Sequence, residues 1–125
     1  MTGVQTCALP IYDGGADHII GYGGVTKANV GALVDGCIYT RGPKEKQFTA
    51  IFVGGGDMTA GEAVFNAVKK RFFSNFRVSA MLDSNGSNTT AAAGVALLAK
   101  ARPLAGKKAV VLAGTGPVEI GRAHV

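Results

Sequence analysis

The stretch that decides the fold is MLDSNGSNTTAAAGVALL, Met81–Leu98. It contains the end of an apolar run, Val78–Leu82, that is typical of a central strand in a parallel sheet. Seven polar side chains and one glycine then fill the eight positions of Asp83–Thr90. An alanine-rich segment follows and predicts a helix. The polar loop therefore lies at the carboxyl end of a strand, which is where open α/β sheets bind their ligands.

The polar loop Asp83–Thr90 has two interpretations. The N–H groups at the start of the following helix, with their partial positive charge, favour a ligand site. The alternative is a capped polar loop that binds nothing, with Asn88 or Thr89 as the helix cap.

Outward from this stretch, strand patterns alternate with helix patterns, which indicates an α/β fold. We expect a three-layer parallel sheet with flanking helices. Thr26 is predicted to cap the first helix, and Thr59–Glu62 has the spacing of a capping box for the second. The third helix is nearly apolar all round, which predicts burial on the sheet or on a neighbouring subunit. The predicted strands are His18–Tyr22, Ala50–Val53, Val78–Leu82 and Ala109–Leu112, and the predicted helices lie near Thr26–Ile38, Gly61–Phe73 and Thr89–Lys100.

Composition excludes several classes of protein. The 125 residues, 47% of them hydrophobic, suit one domain of ordinary size. The net charge of +5 comes without an arginine-rich segment, so we expect small anions rather than nucleic acid as ligands. No apolar run has spanning length, so no membrane partner is expected. Cys7 and Cys37 form no metal-ligand pattern, so we expect no metal and a reducing, cytoplasmic location.

Both ends of the sequence look foreign to the rest. Thr6–Ile11 and Ile120–His124 can be encoded by one DNA segment read on opposite strands, and that segment resembles a common short-read sequencing adapter. We therefore interpret residues 1–12 and 119–125 as adapter-derived artefacts without a role in fold or function. The fold is then expected to be truncated at both ends.

The predicted last strand runs into Gly114–Val118, the opening of a G-x-G-x-x-G dinucleotide-binding turn. Half a motif is weak evidence, because glycine-rich turns after strands are often only turns. Its position after a complete α/β unit favours a two-domain enzyme cut at the entrance to its nucleotide-binding domain. We expect residues 13–105 to form a substrate-side N-terminal α/β domain. Residues 106–118 would be the first strand and glycine turn of a truncated Rossmann domain.

Six segments together resemble NADP-dependent methylene-tetrahydromethanopterin dehydrogenase of aerobic methylotrophic bacteria, whose relatives also act on methylene-tetrahydrofolate. The resemblance implies an N-terminal α/β domain and a C-terminal Rossmann domain, with the active site in the cleft between them. It also implies an oxidoreductase of one-carbon metabolism that transfers a hydride from the pterin methylene carbon to NADP. The parent enzyme would be cytoplasmic and homo-oligomeric, and this fragment alone would be inactive. The segments are Tyr12–Ile19, Tyr39–Gly42, Lys44–Gln47, Ile51–Asp57, Leu82–Gly94 and Gly106–Val118.

Hydride transfer to a nicotinamide depends on positioning more than on acid–base chemistry, so the predicted site consists of orienting groups. No catalytic residue is assigned. Turn formation is an equal alternative for Asp17, and helix capping is the alternative for the loop residues. Gly54–Gly56 either let a ligand approach the backbone or form a tight turn. A non-catalytic small-molecule-binding or oligomerisation module stays open as another class of function. The residues predicted to bind the pterin or folate carrier are Asp17, Ser84, Asn85, Asn88, Thr89 and Thr90, and those predicted to bind NADP are Gly114, Thr115, Gly116, Pro117 and Val118.

Overall fold

The computed structural model describes residues 14–108 together with Val110 and Gly116. The chain divides into two compact units, the first ending at Ser84 and the second beginning at Asn85. Helices and strands alternate along it, so the predicted α/β class is confirmed. In chain order the elements are α1 (Val30–Tyr39), a 3₁₀ turn (Glu45–Phe48), β1 (Ala50–Val53), α2 (Met58–Arg71), β2 (Ser79–Leu82), a second 3₁₀ turn (Ser84–Gly86) and α3 (Ser87–Ala101).

Within residues 14–84, the sheet of the first unit consists of β1 and β2, joined through α2. The two strands run parallel, with Ala50 opposite Ser79 and Val53 opposite Leu82. A parallel pair needs such a crossover connection, and a helix usually supplies it. The predicted strand Ala50–Val53 and the parallel direction are therefore confirmed, and the predicted strand Val78–Leu82 begins one residue later, at Ser79.

The core of the first unit lies between α1, α2 and one face of the sheet. Val34 and Ile38 of α1 and Val68 of α2 are at most 1% exposed. The i, i+4 spacing of the two α1 residues places them on one side of the helix. Val53 of β1 and Val78, the residue before β2, join them. Fully burying such a side chain stabilises the fold by about 1.5–3 kcal/mol, so this small cluster holds the helices against the strands.

The other face of the sheet carries large apolar side chains that solvent reaches. Phe52 is 37% exposed and Met81 is 44% exposed. Parallel sheets usually have helices over both faces. The three-layer arrangement predicted from the sequence needs a layer over these two residues, and it stays a prediction.

The predicted strand His18–Tyr22 is wrong, because the segment adopts no regular secondary structure. Ile20 is 78% exposed and Tyr22 is 61% exposed. Without apolar burial, nothing offsets the entropy lost when the backbone is ordered into a strand. The predicted strand Ala109–Leu112 lies outside the described residues, except for Val110, which is in no strand.

Helix α1 begins at Val30, four residues later than predicted. The residues before it form a hydrogen-bonded turn in which Asn29 Oδ1 accepts the Thr26 N–H at 2.7 Å. Thr26 Oγ1 in turn accepts the Ala28 N–H at 3.3 Å. Thr26 therefore caps a turn that leads into the helix rather than the helix itself.

Helix α2 begins at Met58, three residues before the predicted Gly61. Its N-cap is Asp57, whose Oδ1 accepts the Ala60 N–H at 2.9 Å. The predicted capping box at Thr59–Glu62 is therefore wrong, because an aspartate two residues earlier already satisfies the first free N–H groups.

Helix α3 is mostly exposed. Ser87 and Ala91 are 2% and 0% exposed, whereas Leu97 and Leu98 are 70% and 53% exposed. The predicted burial is therefore not found for most of α3 among the described residues of the single chain. Alanine is the best helix former and has little side chain to bury, so an alanine-rich pattern reports helix propensity more than burial. The neighbouring-subunit alternative stays a prediction. None of the helices in residues 14–108 is both long and apolar enough to cross a membrane.

Candidate functional site

The candidate site of the first unit is built where β1 and β2 end. The register places Val53 opposite Leu82, so the two carboxyl ends lie side by side. The Asp83 N–H donates to Val53 O at 2.9 Å, which extends the pairing one residue past β2. Such strand ends are the usual ligand-binding edge of an open parallel sheet.

Polar side chains are buried at this edge. Asp83 is 8% exposed and Ser84 is 2% exposed. Buried polar groups are rare in cores unless hydrogen bonding or function accounts for them. Burial also restricts both side chains to a narrow range of orientations, which a site that orients a ligand requires.

Gly61, in the first turns of α2, allows this helix to approach Ser84. A Cβ atom placed on Gly61 would overlap the Ser84 hydroxyl and lie 3.0 Å from Ser84 Cβ. The helix start therefore packs directly on the serine. The sequence pattern indicated Gly61 only as part of a helix start. The signal that could have found it is a glycine inside a helix, where glycine costs about 1 kcal/mol relative to alanine.

The glycine segment that follows β1 forms part of the same edge. Gly55 has a φ of +114°, a conformation that residues with a Cβ rarely adopt. Asp57 then caps α2. For Gly54–Gly56 the structure thus supports the turn interpretation, and the close approach of a ligand stays a prediction.

The second unit opens with two left-handed residues. Asn85 has φ 58° and ψ 18°, and Gly86 has φ 64° and ψ 17°. Asparagine and glycine are the residues that tolerate this region best. The chain thereby turns within two residues, and α3 starts at Ser87.

The first turn of α3 carries the remaining residues predicted in the loop. Asn88, Thr89 and Thr90 are exposed there. The N-cap is Gly86, and Thr89 Oγ1 donates to Gly86 O at 3.3 Å. The predicted capping by Asn88 or Thr89 is therefore wrong: the left-handed turn starts the helix two residues earlier than the sequence suggested.

The other predicted residues lie elsewhere in the sequence. Asp17 is exposed and lies in a bend of the first unit. Gly116 is half-buried in a bend. Gly114, Thr115, Pro117 and Val118 lie outside the described residues, so their role as a glycine turn stays a prediction.

The described side chains suit recognition better than proton transfer. Hydroxyl and amide groups can both donate to and accept from a heterocyclic ring, and a carboxylate can accept from it. In the described part of the chain, no three residues of the types that ligate metals come together.

Comparison with known proteins gives one matching family and two curated relatives. The model of the N-terminal part of methylene-tetrahydromethanopterin dehydrogenase matches residues 9–85. Bifunctional protein MdtA of Methylorubrum extorquens is 80% identical over 106 residues, which cover 83% of this chain and 37% of the relative. An NAD(P)-dependent methylenetetrahydromethanopterin dehydrogenase of the same organism is 33% identical over 112 residues, 85% of this chain and 38% of the relative.

The chain thus spans less than two fifths of the length of either relative. The family match ends at Asn85 and so includes the buried residues Asp83 and Ser84. The match confirms the resemblance drawn from the six sequence segments. The chain belongs to the methylene-tetrahydromethanopterin dehydrogenase family, as part of its N-terminal region.

Proposed function

We propose that this chain is the substrate-side part of a cytoplasmic NADP-dependent oxidoreductase of one-carbon metabolism. The parent enzyme transfers a hydride from the methylene carbon of methylene-tetrahydromethanopterin, or of methylene-tetrahydrofolate, to NADP and leaves a methenyl product. Family membership supports the reaction class, and the name of the 33% identical relative states the pterin substrate and the NAD(P) dependence of that protein. The observation that carries the proposal is the buried polar end of β2 at Asp83 and Ser84.

A buried polar strand end suits this chemistry because hydride transfer depends on geometry. The donor carbon and the nicotinamide must be held close together in a fixed orientation, and a displacement of about 1 Å lowers the rate strongly. Ser84 is fixed by its burial and by the close approach of Gly61. A hydroxyl held in this way can orient a ring without reorganising during the reaction.

We assign the pterin or folate carrier to the polar residues at this edge and to Asp17. Asn85 offers an amide that can both donate to and accept from a pterin ring, and Ser84 offers a hydroxyl. Asn88, Thr89 and Thr90 are exposed on the first turn of α3 and are assigned to the same ligand.

We assign the pyrophosphate of NADP to the backbone of Gly114–Val118. The bend at Gly116 supports a turn there. When bound, NADP accepts the hydride, and this chain supplies only part of its binding site. The rest is proposed to lie in the part of the parent enzyme that corresponds to the uncovered length of the relatives. Residues 13–105 would then be the substrate-side domain, residues 106–118 the start of the Rossmann domain, and both tails adapter-derived. We also propose that the parent is a homo-oligomer.

A chimera tests the proposal. Residues 13–118 are joined to the remaining segments of the 80% identical relative, and NADP reduction is followed with methylene-tetrahydromethanopterin and with methylene-tetrahydrofolate. We expect turnover by the chimera with at least one substrate and none by the 125-residue chain alone. Turnover by the short chain, or a folded chimera inactive with both substrates, would overturn the proposal.

Three substitutions in the chimera test the loop. Ser84→Ala, Asn85→Gly and Thr89→Ala should each lower kcat/KM by about tenfold, as expected for one lost polar contact. Asn85→Gly keeps the left-handed backbone available, so its effect reports the amide alone. Asn66→Ala, at an exposed position of α2, is the matched control and should leave the rate unchanged. Unchanged rates in all three would remove the loop from the site.

A further inference from the structure

A groove with polar and apolar lining lies at the other end of the β1–β2 pair. It is formed around the amino end of β2 and the 3₁₀ turn before β1, and all its lining belongs to the first unit. Two of its lining side chains are cationic, and the described lining contains no carboxylate. The lining residues are Pro43, Lys46, Gln47, Asn75, Arg77, Val78 and Ser79.

Lys46 is the unusual member of this groove, because it is only 9% exposed. Its Nζ donates to Asn75 O at 3.3 Å and lies 4.2 Å from the centroid of the Phe76 ring. Neither partner is an anion, and the ion pair of the described residues joins Arg71 to Asp35 instead. Lysines are almost never buried without a paired charge, since losing hydration is costly for an ammonium group. A buried cation at a groove without a carboxylate favours binding of an anion from solution.

Arg77 provides the second positive charge. Its Nε donates to Ser74 O at 2.7 Å, which uses one of the five N–H donors of the guanidinium group. Ser74 has a φ of 44°, a strained value for a residue with a side chain. The turn that contains it is closed by Phe76 N–H, which donates to Phe73 O at 2.8 Å. Strained turns of this kind concentrate where a binding function maintains them.

We propose that this groove binds a tetrahedral phosphate dianion, either as free inorganic phosphate or as the phosphate of a small monoester. Phosphate carries about 1.5 to 2 negative charges at neutral pH, which balances Lys46 and Arg77. Arginine and lysine are the side chains that hold phosphate through charge-assisted hydrogen bonds. Gln47, Asn75 and Ser79 add neutral polar groups for the remaining oxygens. The groove is separate from the strand ends at which Asp83 and Ser84 lie.

Calorimetric titration of the 125-residue chain tests this site. Inorganic phosphate and glycerol 2-phosphate are titrated separately at constant ionic strength, and the tighter of the two identifies the source of the phosphate group. Lys46→Met and Arg77→Gln should each weaken binding at least about tenfold. Lys70→Met removes the same charge from an exposed position of α2 outside the lining and should change affinity less than about twofold.

Three outcomes decide the matter. Binding that both groove variants lose and Lys70→Met keeps supports the site. If the unmodified chain binds neither ligand, the proposed phosphate site is overturned. An equal loss of affinity in Lys70→Met also overturns it, because that result would indicate only general attraction of phosphate to a basic protein. Should Lys46→Met fail to fold, Arg77→Gln still decides, because Arg77 is exposed and its loss removes no buried group.

Discussion

The two ends of the β1–β2 pair bury polar side chains in different ways. At the carboxyl end, Asp83 and Ser84 are enclosed, and the backbone of α2 at Gly61 packs on the serine. At the amino end, Lys46 is equally buried but lines an open groove beside Arg77. The first end should therefore be sensitive to changes of shape, and the second to changes of charge.

The largest effect should come from adding one methyl group at the carboxyl end. Gly61→Ala would place a Cβ atom onto the Ser84 hydroxyl. Overpacking of this kind costs about 1–3 kcal/mol, and the gain in helix propensity of about 1 kcal/mol offsets only part of it. We expect a net loss of up to about 2 kcal/mol in the free energy of unfolding, measured by urea denaturation.

Gly36→Ala is the matched control for this substitution. Gly36 also lies within a helix, and a Cβ atom there meets no described atom within 4 Å. It should stabilise the chain by up to about 1 kcal/mol. Equal effects at positions 36 and 61 would show that shape is not restricted at the carboxyl end.

The left-handed turn after β2 should give the next largest effect. Asn85→Ala places alanine at a φ of 58°, where an ordinary side chain costs about 1–2 kcal/mol. Asparagine already bears part of that cost, so we expect Asn85→Ala to lower the free energy of unfolding by about 1 kcal/mol. The free energy of unfolding of Asn85→Gly should stay within about 0.5 kcal/mol of that of the unmodified chain. Thermal denaturation of both variants provides the measurement. If the glycine variant loses as much stability as the alanine variant, the effect comes from the side-chain amide of Asn85 and not from its left-handed backbone.

At the amino end, removing a buried charge should change stability little. Lys46→Met loses a cation–π contact worth about 0.5–1 kcal/mol, but it also removes the cost of keeping an ammonium group away from water. We expect a change below about 1 kcal/mol in either direction, measured in phosphate-free buffer. If Lys46→Met lost several kcal/mol of stability, Lys46 would be a structural residue. The proposed contrast between a shape-sensitive carboxyl end and a charge-sensitive amino end would then be wrong.

The smallest effect should come from the exposed ion pair beside the amino end. Arg71 Nε donates to Asp35 Oδ1 at 2.6 Å, and this hydrogen bond lowers the pKa of the Asp35 carboxyl. A lowered folded-state pKa means that the pair stabilises the fold above the ordinary aspartate pKa of about 4. This contribution disappears as the pH falls through the folded-state pKa.

Asp35→Asn should therefore lower the urea midpoint slightly at pH 7, and the difference should vanish in acid. It should also shrink in high salt, because exposed pairs are screened. Asp17→Asn removes a carboxylate from an exposed bend and should leave the midpoint unchanged at both pH values. A difference for Asp35→Asn that persists in acid would contradict the ion-pair explanation.

The parallel pair was predictable because each strand is a short apolar run followed by a turn signal, and a helix pattern lies between them. The segment His18–Tyr22 has a similar local pattern yet forms no strand, because a strand also needs a partner and apolar burial. Those requirements are tertiary, and a five-residue pattern carries no information about them. The start of α2 was displaced because two residues with capping side chains, Asp57 and Thr59, lie close together, and the sequence does not say which one caps the helix.

The candidate site was predictable only in part. The polar composition after Leu82 indicated a ligand edge, and Asp83 and Ser84 do lie at the end of β2. The role of Gly61 depends on a contact with a residue 23 positions later, which no local pattern reports. Lys46 lies in a charged segment that is typical of a solvated loop. It is buried in the folded chain, where its ammonium group contacts Asn75 and Phe76.

Cys37 has a practical consequence. Its thiol is half-buried on α1 against the core cluster, and burial raises its pKa. Thiol reagents attack the thiolate, so labelling should be slow while α1 stays docked and fast once it detaches. The sequence has one other cysteine, Cys7, and replacing that by serine would make Cys37 the single reactive position. The rate of its labelling would then measure how often the first unit opens, without an introduced reporter group.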